Sequence, residues 1–157
     1  MNSVEASAHA GKAPLKGYEA TMTPSATLWR NTKPIGSCPH CGSNDHVGHG
    51  SVIVSVMDVP EKGLDAHPIS LWIDRRRARC AGCGRTFSEP LPLIAPKRSM
   101  TSRLVAWIIK EAMVRTYVSI AKDVGVTEGN VRAVFAEFLD GLDEEARAKV
   151  LSERKKR

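Results

Sequence analysis

The sequence predicts an α+β protein: a small cysteine-clamped β module followed by an α-helical unit. Three observations predict it. The four cysteines, Cys38, Cys41, Cys80 and Cys83, form two Cys-x-x-Cys pairs, each running into glycine at Gly42 and Gly84. Between the pairs, apolar residues recur at a period of two, at Val52, Val54 and Val56 and again at Ile69, Leu71 and Ile73, which is a strand pattern. Beyond the second pair the period becomes that of a helix, with Leu104, Val105, Ile108, Ile109, Ala112 and Met113 on one face.

Residues 1–36 are rich in Ala, Ser, Thr, Gly and Pro and show neither period. They read as a disordered or extended N-terminal arm. Trp29, between Leu28 and Arg30, is the residue in it suited to dock on the cysteine module.

Residues 37–90 form the cysteine module. The first strand lies within Val47–Val59, Pro60 to Gly63 reads as a turn, and the second strand runs from Ile69 through the arginines into Cys80. Two antiparallel strands would bring Cys41 back towards Cys80 across the 38 residues between them. Four thiolates so placed suit one tetrahedral zinc ion, and the module is then a zinc ribbon. A redox pair and unrelated buried cysteines are the competing readings. His40 sits inside the first knuckle and is a less favoured ligand, since four cysteines already close the site. A closed site leaves no position for substrate, so the zinc is expected to be structural. With so small a core, metal binding is expected to supply stability.

Residues 91–99 are a connector, and residues 100–157 a helical domain. Thr101 or Ser102 can cap the first helix. A short helix from about Tyr117 ends at Gly125, which suits a left-handed cap. Thr127 can cap a third helix, in which Val131, Val134, Phe135, Phe138 and Leu142 share a face. Ala121, Gly125 and Val131 stand where a helix-turn-helix needs a small residue, a turn glycine and a core valine. An ordinary helical hairpin is the alternative. Asp143 can cap a fourth helix towards Ser152, followed by a basic tail expected to fray.

Charge narrows the partners. The net charge is +6, and from Asp74 to Arg115 ten basic residues face three acidic ones. Such a local excess points to a polyanion, nucleic acid before membrane. Candidate DNA contacts are Arg75, Arg76, Arg77, Arg79, Arg85, Lys97 and Arg98, reaching mainly phosphates. Thr127, Glu128, Asn130 and Arg132 stand on the face of the third helix that would enter the groove. Some arginines can instead cover the ribbon with their aliphatic stems. Trp72, Trp107, Phe87 and Phe135 are expected in cores, and His9, His46, His49 and His67 at the surface. Aromatic residues make up 5% of the chain, which argues against base stacking on single strands.

No segment reaches the ~20 apolar residues of a membrane span, and the N-terminus lacks the apolar core of a signal peptide. The chain is expected to be cytoplasmic and associated with the nucleoid. No nucleophile–base pairing, phosphate loop or small-molecule site is visible, so no enzyme is expected. A homodimer is a candidate assembly, since helix-turn-helix units commonly pair on two half-sites.

Three strings carry a family resemblance: Cys38-Pro39-His40-Cys41-Gly42-Ser43, Met57-Asp58-Val59-Pro60, and Ile73 to Glu89 with its arginines and second knuckle. Together with the run from Ser119-Ile120-Ala121 through Val124-Gly125-Val126-Thr127 to Val131, they resemble the head of insertion-sequence transposases of the ISL-three family over residues 37–140. The resemblance implies a zinc-ribbon and helix-turn-helix head that recognises terminal inverted repeats. In that family an RNase H-type catalytic domain follows, whereas only fifteen residues follow Leu142 here. The expectation is therefore DNA binding without transposition chemistry: a transcriptional regulator or mobile-element accessory factor that recognises double-stranded DNA by sequence. The alternatives are the recognition part of a truncated transposase and a zinc-ribbon adaptor for other proteins.

Overall fold

The computed structural model describes residues 15–23, 27–60 and 67–155. It contains five strands, β1 (Tyr18–Met22), β2 (Thr27–Asn31), β3 (His46–Asp58), β4 (Ile69–Cys80) and β5 (Thr86–Ser88), then four helices, α1 (Ser102–Ala112), α2 (Tyr117–Val124), α3 (Glu128–Asp140) and α4 (Glu144–Lys155). The fold is α+β, and the chain divides into two compact units. One comprises Met1–Val56 with Leu71–Pro92, the other Met57–Ser70 with Leu93–Arg157.

In the cysteine unit the strand order is β1-β2-β4-β3, with β5 also paired to β4. The Ala81 N–H donates to the Asp45 carbonyl at 2.9 Å, and further along Ser51 lies near enough to Asp74 to lower its carboxyl pKa. As one strand advances the other therefore recedes, so β3 and β4 run antiparallel, as the two valine and isoleucine runs predict. Their connecting turn, apart from Pro60, lies outside the described residues.

Tyr18–Met22 and Thr27–Asn31, within the segment expected to be a disordered or extended arm, form two paired strands. β1 and β2 are antiparallel, Tyr18 facing Asn31 and Met22 facing Thr27. β2 then adds parallel to β4 through Leu28↔Trp72 and Trp29↔Ile73. Trp29 does dock, and it does so as part of a strand. Arg30 and Asp74 form an ion pair across the same junction.

β4 changes the face it buries. Leu71 and Ile73 are buried on one side, while Ala78 and Cys80 are buried on the other. Side chains alternate strictly along a strand, so the core moves from odd to even positions, and twist makes that feasible over twelve residues. At the crossover stand Asp74 and Arg76, whose charges are met by Arg30 and Glu89. Trp72, expected in a core, falls on the outward face before the crossover and is 44% exposed. Phe87 and Phe135 are buried as expected, and Trp107 is half-buried against the helical core. His49 and His67 are exposed. His46 is half-buried, edge-on to Phe87 at 5.6 Å. His9 lies outside the described residues.

In the helical unit the caps expected at Thr101, Gly125, Thr127 and Asp143 form, and Thr116, not named from the sequence, caps α2. Thr101, Thr116 and Thr127 receive the N–H groups of Leu104, Ser119 and Asn130. Asp143 receives that of Ala146 at 2.8 Å, and α4 continues through the expected fraying point to Lys155. The core comprises Leu104, Ile108 and Ala112 from α1, Ile120, Ala121 and Val124 from α2, and Val131, Val134, Phe135 and Leu139 from α3.

Met57, Asp58 and Pro68, assigned by sequence to the cysteine module, contact the helical unit. Met57 forms a parallel bridge with Met100. Asp58, with no exposed surface, accepts from the Thr101 hydroxyl at 2.8 Å and from Arg103 Nε at 2.7 Å. Pro68 lies against the turn between α2 and α3. A Cβ built on Gly125 would come within 2.9 Å of the Pro68 Cβ, and Gly125 already has a φ of +76°. Glycine there answers both a left-handed backbone and a close neighbour.

Candidate metal centre and nucleic-acid interface

The two cysteine knuckles are copies of one backbone device. In the first, the Cys38 N–H donates to the Ser43 carbonyl at 2.8 Å and the Gly42 N–H to the Cys38 carbonyl at 2.8 Å. In the second, the Cys80 N–H donates to the Arg85 carbonyl at 2.9 Å and the Gly84 N–H to the Cys80 carbonyl at 3.0 Å. Gly42 and Gly84 have φ of 74° and 70°, which lets the chain fold back over the sulfurs.

All four sulfurs lie within 4.8 Å of one another, with Cys38 and Cys80 buried and Cys41 and Cys83 exposed. Cys38 to Cys83 is 3.8 Å and Cys41 to Cys80 is 3.5 Å, and none is in a disulfide. A tetrahedral ion bound by thiolates at ~2.3 Å requires sulfur–sulfur separations of about 3.8 Å, so the donor set fits a metal ion. His40 is exposed and is not among these donors. Behind the sulfurs a small cluster, Cys38, Ala78, Cys80 and Phe87 with Ile35 against it, seals one side.

The bare thiols share protons unequally. The Cys83 backbone N–H, above all, pulls the Cys80 thiol down to about 6 against burial, with Cys41 and the Gly82 N–H adding to it. The Ser43 backbone lowers Cys41, but Cys80, burial and the other two cysteines outweigh it and push that thiol up to about 12. Four sulfurs this close cannot all ionise without a cation among them.

The arginine block divides into tied and free members. Glu89, 1% exposed, takes the Arg76 N–H at 2.9 Å and its guanidinium at 2.7 Å. Arg75 Nε donates to the Glu89 carbonyl at 3.0 Å. Arg77, Arg79 and Arg85 are exposed. Arg77 and Arg79 share the outward face of β4, opposite Ser88 and Thr86 of β5, and Arg79 Nε reaches the Gly84 carbonyl at 3.3 Å.

In the helical unit Ala121 is 6% exposed and Val131 fully buried, on either side of the left-handed turn at Gly125. The Thr127 hydroxyl accepts from the Asn130 N–H at 3.2 Å. Glu128 and Arg132 pair along α3, and both Asn130 and Arg132 are exposed. Lys97 is exposed, with a left-handed φ of 58°. Arg98 is largely covered and pairs with Glu137. The three free arginines and the α3 residues belong to different units, so the structure gathers them into two groups.

Sequence reasoning missed the aromatic brace of α3. The Tyr117 ring carries the Arg154 guanidinium at 4.0 Å and that of Arg132 at 5.4 Å, and Arg154 also lies 5.1 Å from Phe135. The available signal was a tyrosine opening α2 and an arginine at the end of α4, which no local pattern connects.

Among the described residues no helix is long and apolar enough to cross a membrane. No curated protein and no solved structure matches the chain. A family model described as the helix-turn-helix domain of transposase family ISL3 matches residues 89–139. The match begins after the last cysteine, so the cysteine unit's likeness to that family rests on its own residues. Over residues 89–139, which include α1 to α3, the chain is similar to the helix-turn-helix domain of that transposase family.

Proposed function

We propose that the protein binds double-stranded DNA by sequence, as a transcriptional regulator or an accessory factor of a mobile element. The observation that carries this reading is the family match over α1 to α3, on a turn built from Ala121, Gly125 and Val131. Asn130 and Arg132 on α3 would read base edges, with Thr127 and Glu128 at the same helix start. Arg77, Arg79, Arg85 and Lys97 would meet phosphates. Arg75, Arg76 and Arg98 are engaged by Glu89 and Glu137 and would contribute less. Cys38, Cys41, Cys80 and Cys83 would hold one zinc ion, which supplies structural cross-linking and no reaction. The protein would work in the cytoplasm, on the nucleoid.

Selection of bound fragments from a random and a genomic pool, at ~150 mM salt, tests the reading. The expected result is one enriched motif. Arg132→Ala should relax it at one position, a discrimination of about 1–3 kcal/mol. Enrichment no better than random competitor would sink it. A second reading is favoured by the transposase character of the match: recognition of an element's terminal inverted repeats. Recovery of repeats flanking the reading frame selects that reading over a regulator.

A further inference from the structure

Half of the exposed large apolar residues in the described structure sit on two neighbouring strands. They are Val47, Val52 and Ile53 of β3 and Trp72 of β4. β3 ends the strand order, so among the described residues its outer backbone side has no strand neighbour over Ser51–Ser55, whereas at Met57 that side bonds Ser99 and Thr101. From His46 to Met57 it contains no Asp, Glu, Lys or Arg, in a chain of net charge +6. Natural edge strands are usually short, charged or broken by proline. β3 has thirteen residues and only Gly50, at φ 76°, interrupts it. Beyond that glycine runs Ser51-Val52-Ile53-Val54-Ser55, uncharged and strongly β-prone.

Ser51 lies near Asp74 on the antiparallel neighbour. Period two then sets Ile53 on the same face of the sheet as Trp72, and Leu28 stands beside Trp72 in register. Ile53 is 57% exposed. The adjacent Val52, also exposed, points to the opposite face. The edge is thus apolar on both faces and open along its backbone.

We propose that this edge is a homodimer interface, β3 of one copy pairing antiparallel with β3 of a second through Ser51–Ser55. Charge identifies the occupant. DNA finds no cation on this stretch, and the exposed arginines of the unit lie elsewhere, at Arg77, Arg79 and Arg85. A two-fold axis sets each uncharged stretch against its own copy, so no charge is opposed and alternating donors and acceptors match automatically. The pairing also closes. It uses both β3 edges, and the opposite edge, β1, is five residues long and carries Glu19. By contrast α4 shows a single large exposed apolar residue, Leu151, which makes it the weaker surface. The inference does not depend on DNA binding, though a dimer would bring two helix-turn-helix units into one assembly.

Sedimentation of the full chain tests it. The wild type is expected to pass from monomer to dimer with rising concentration and no further. Ile53→Lys places like charges opposite each other and should weaken association about tenfold or more, as should Ile53→Glu. An equimolar mixture of the two variants should recover the dimer, which also shows that both fold. On the unmodified chain, amide exchange within Ser51–Ser55 should slow as the dimer fills. A wild type that stays monomeric, grows open-ended, or dimerises with unchanged exchange at Ser51–Ser55 overturns the proposal. So does an Ile53→Lys variant that associates as well as wild type.

Discussion

In the helical unit eleven buried residues between Met100 and Leu139 form one apolar cluster, with Met57, Val59 and Trp107 among those packed on its edge. Around the sulfurs of the cysteine unit the buried cluster is Cys38, Ala78, Cys80 and Phe87. The first is enough to order three helices by burial. The second is too small for that; the unit also buries Leu15, Val56, Leu71 and Ile73, and it places charges close by, with Glu89 under Arg75 and Arg76 and Asp74 under Arg30. Burial tolerates many sequences of similar volume. A sulfur cluster with charged supports requires particular residues, and it fails when one is removed.

Metal removal should therefore separate the two units by the widest margin. Chelation, or Cys41→Ser with Cys83→Ser, removes a term on the order of 10 kcal/mol. Backbone amide spectra should then lose the dispersed signals of residues 35–56 and 71–92 and keep those of α1 to α3. Loss of both sets together would refute the contrast.

Within the helical unit the largest polar dependence falls on Asp58. Asp58→Ala leaves Arg103 without its buried partner, and Thr101, itself buried, loses its carboxylate acceptor. A destabilisation of about 3–5 kcal/mol is expected in chemical denaturation. Retention of wild-type stability would mean that apolar packing alone holds Met57–Ser70.

Gly125→Ala should cost about 2 kcal/mol or more, from the left-handed backbone and from crowding against Pro68. Pro68→Gly, which removes the Cβ that Gly125→Ala would meet, should recover the crowding part when the double variant is compared with Pro68→Gly alone. If it recovers nothing, backbone conformation accounts for the whole effect.

The smallest effect concerns Tyr18, whose hydroxyl is buried without a hydrogen-bond partner in the described structure. Burial, reinforced by the charge of Glu89, raises its pKa above 10.0. Below that value both states are neutral and the group is silent. As pH rises past it the unfolded chain ionises first, so stability falls until the folded group also ionises. Tyr18→Phe should flatten this alkaline loss and add about 1 kcal/mol at neutral pH. Thermal melts between neutrality and the tyrosinate range measure both, and an unchanged alkaline slope would count against burial of this hydroxyl.

The helices were legible because their information is local. Thr101, Thr127 and Asp143 announce starts, Gly125 announces a stop, and the apolar period fixes the buried face. The sulfurs were legible because their spacing carries the chemistry. Three features resisted reading. β1 and β2 are five residues each; β2 is held by pairing with β4 some 44 positions away, and β1 by pairing with β2. β4 alternates evenly in sequence, so nothing local marks where its buried face changes, and the core position expected for Trp72 is on the wrong side. Asp58 and Arg103 are ordinary charged residues until folding places them together.

The meeting of Asp58, Met57 and Pro68 with the helices bears on how portable the helix-turn-helix part is. The segment matching the family model starts at residue 89, yet one wall of its turn and the buried anion at the start of α1 come from residues 57–70. A graft cut at the start of the matched segment would carry α3 and leave part of its foundation behind. A transplant that also carries 57–70, joined by a short linker, should keep the turn intact in a foreign protein.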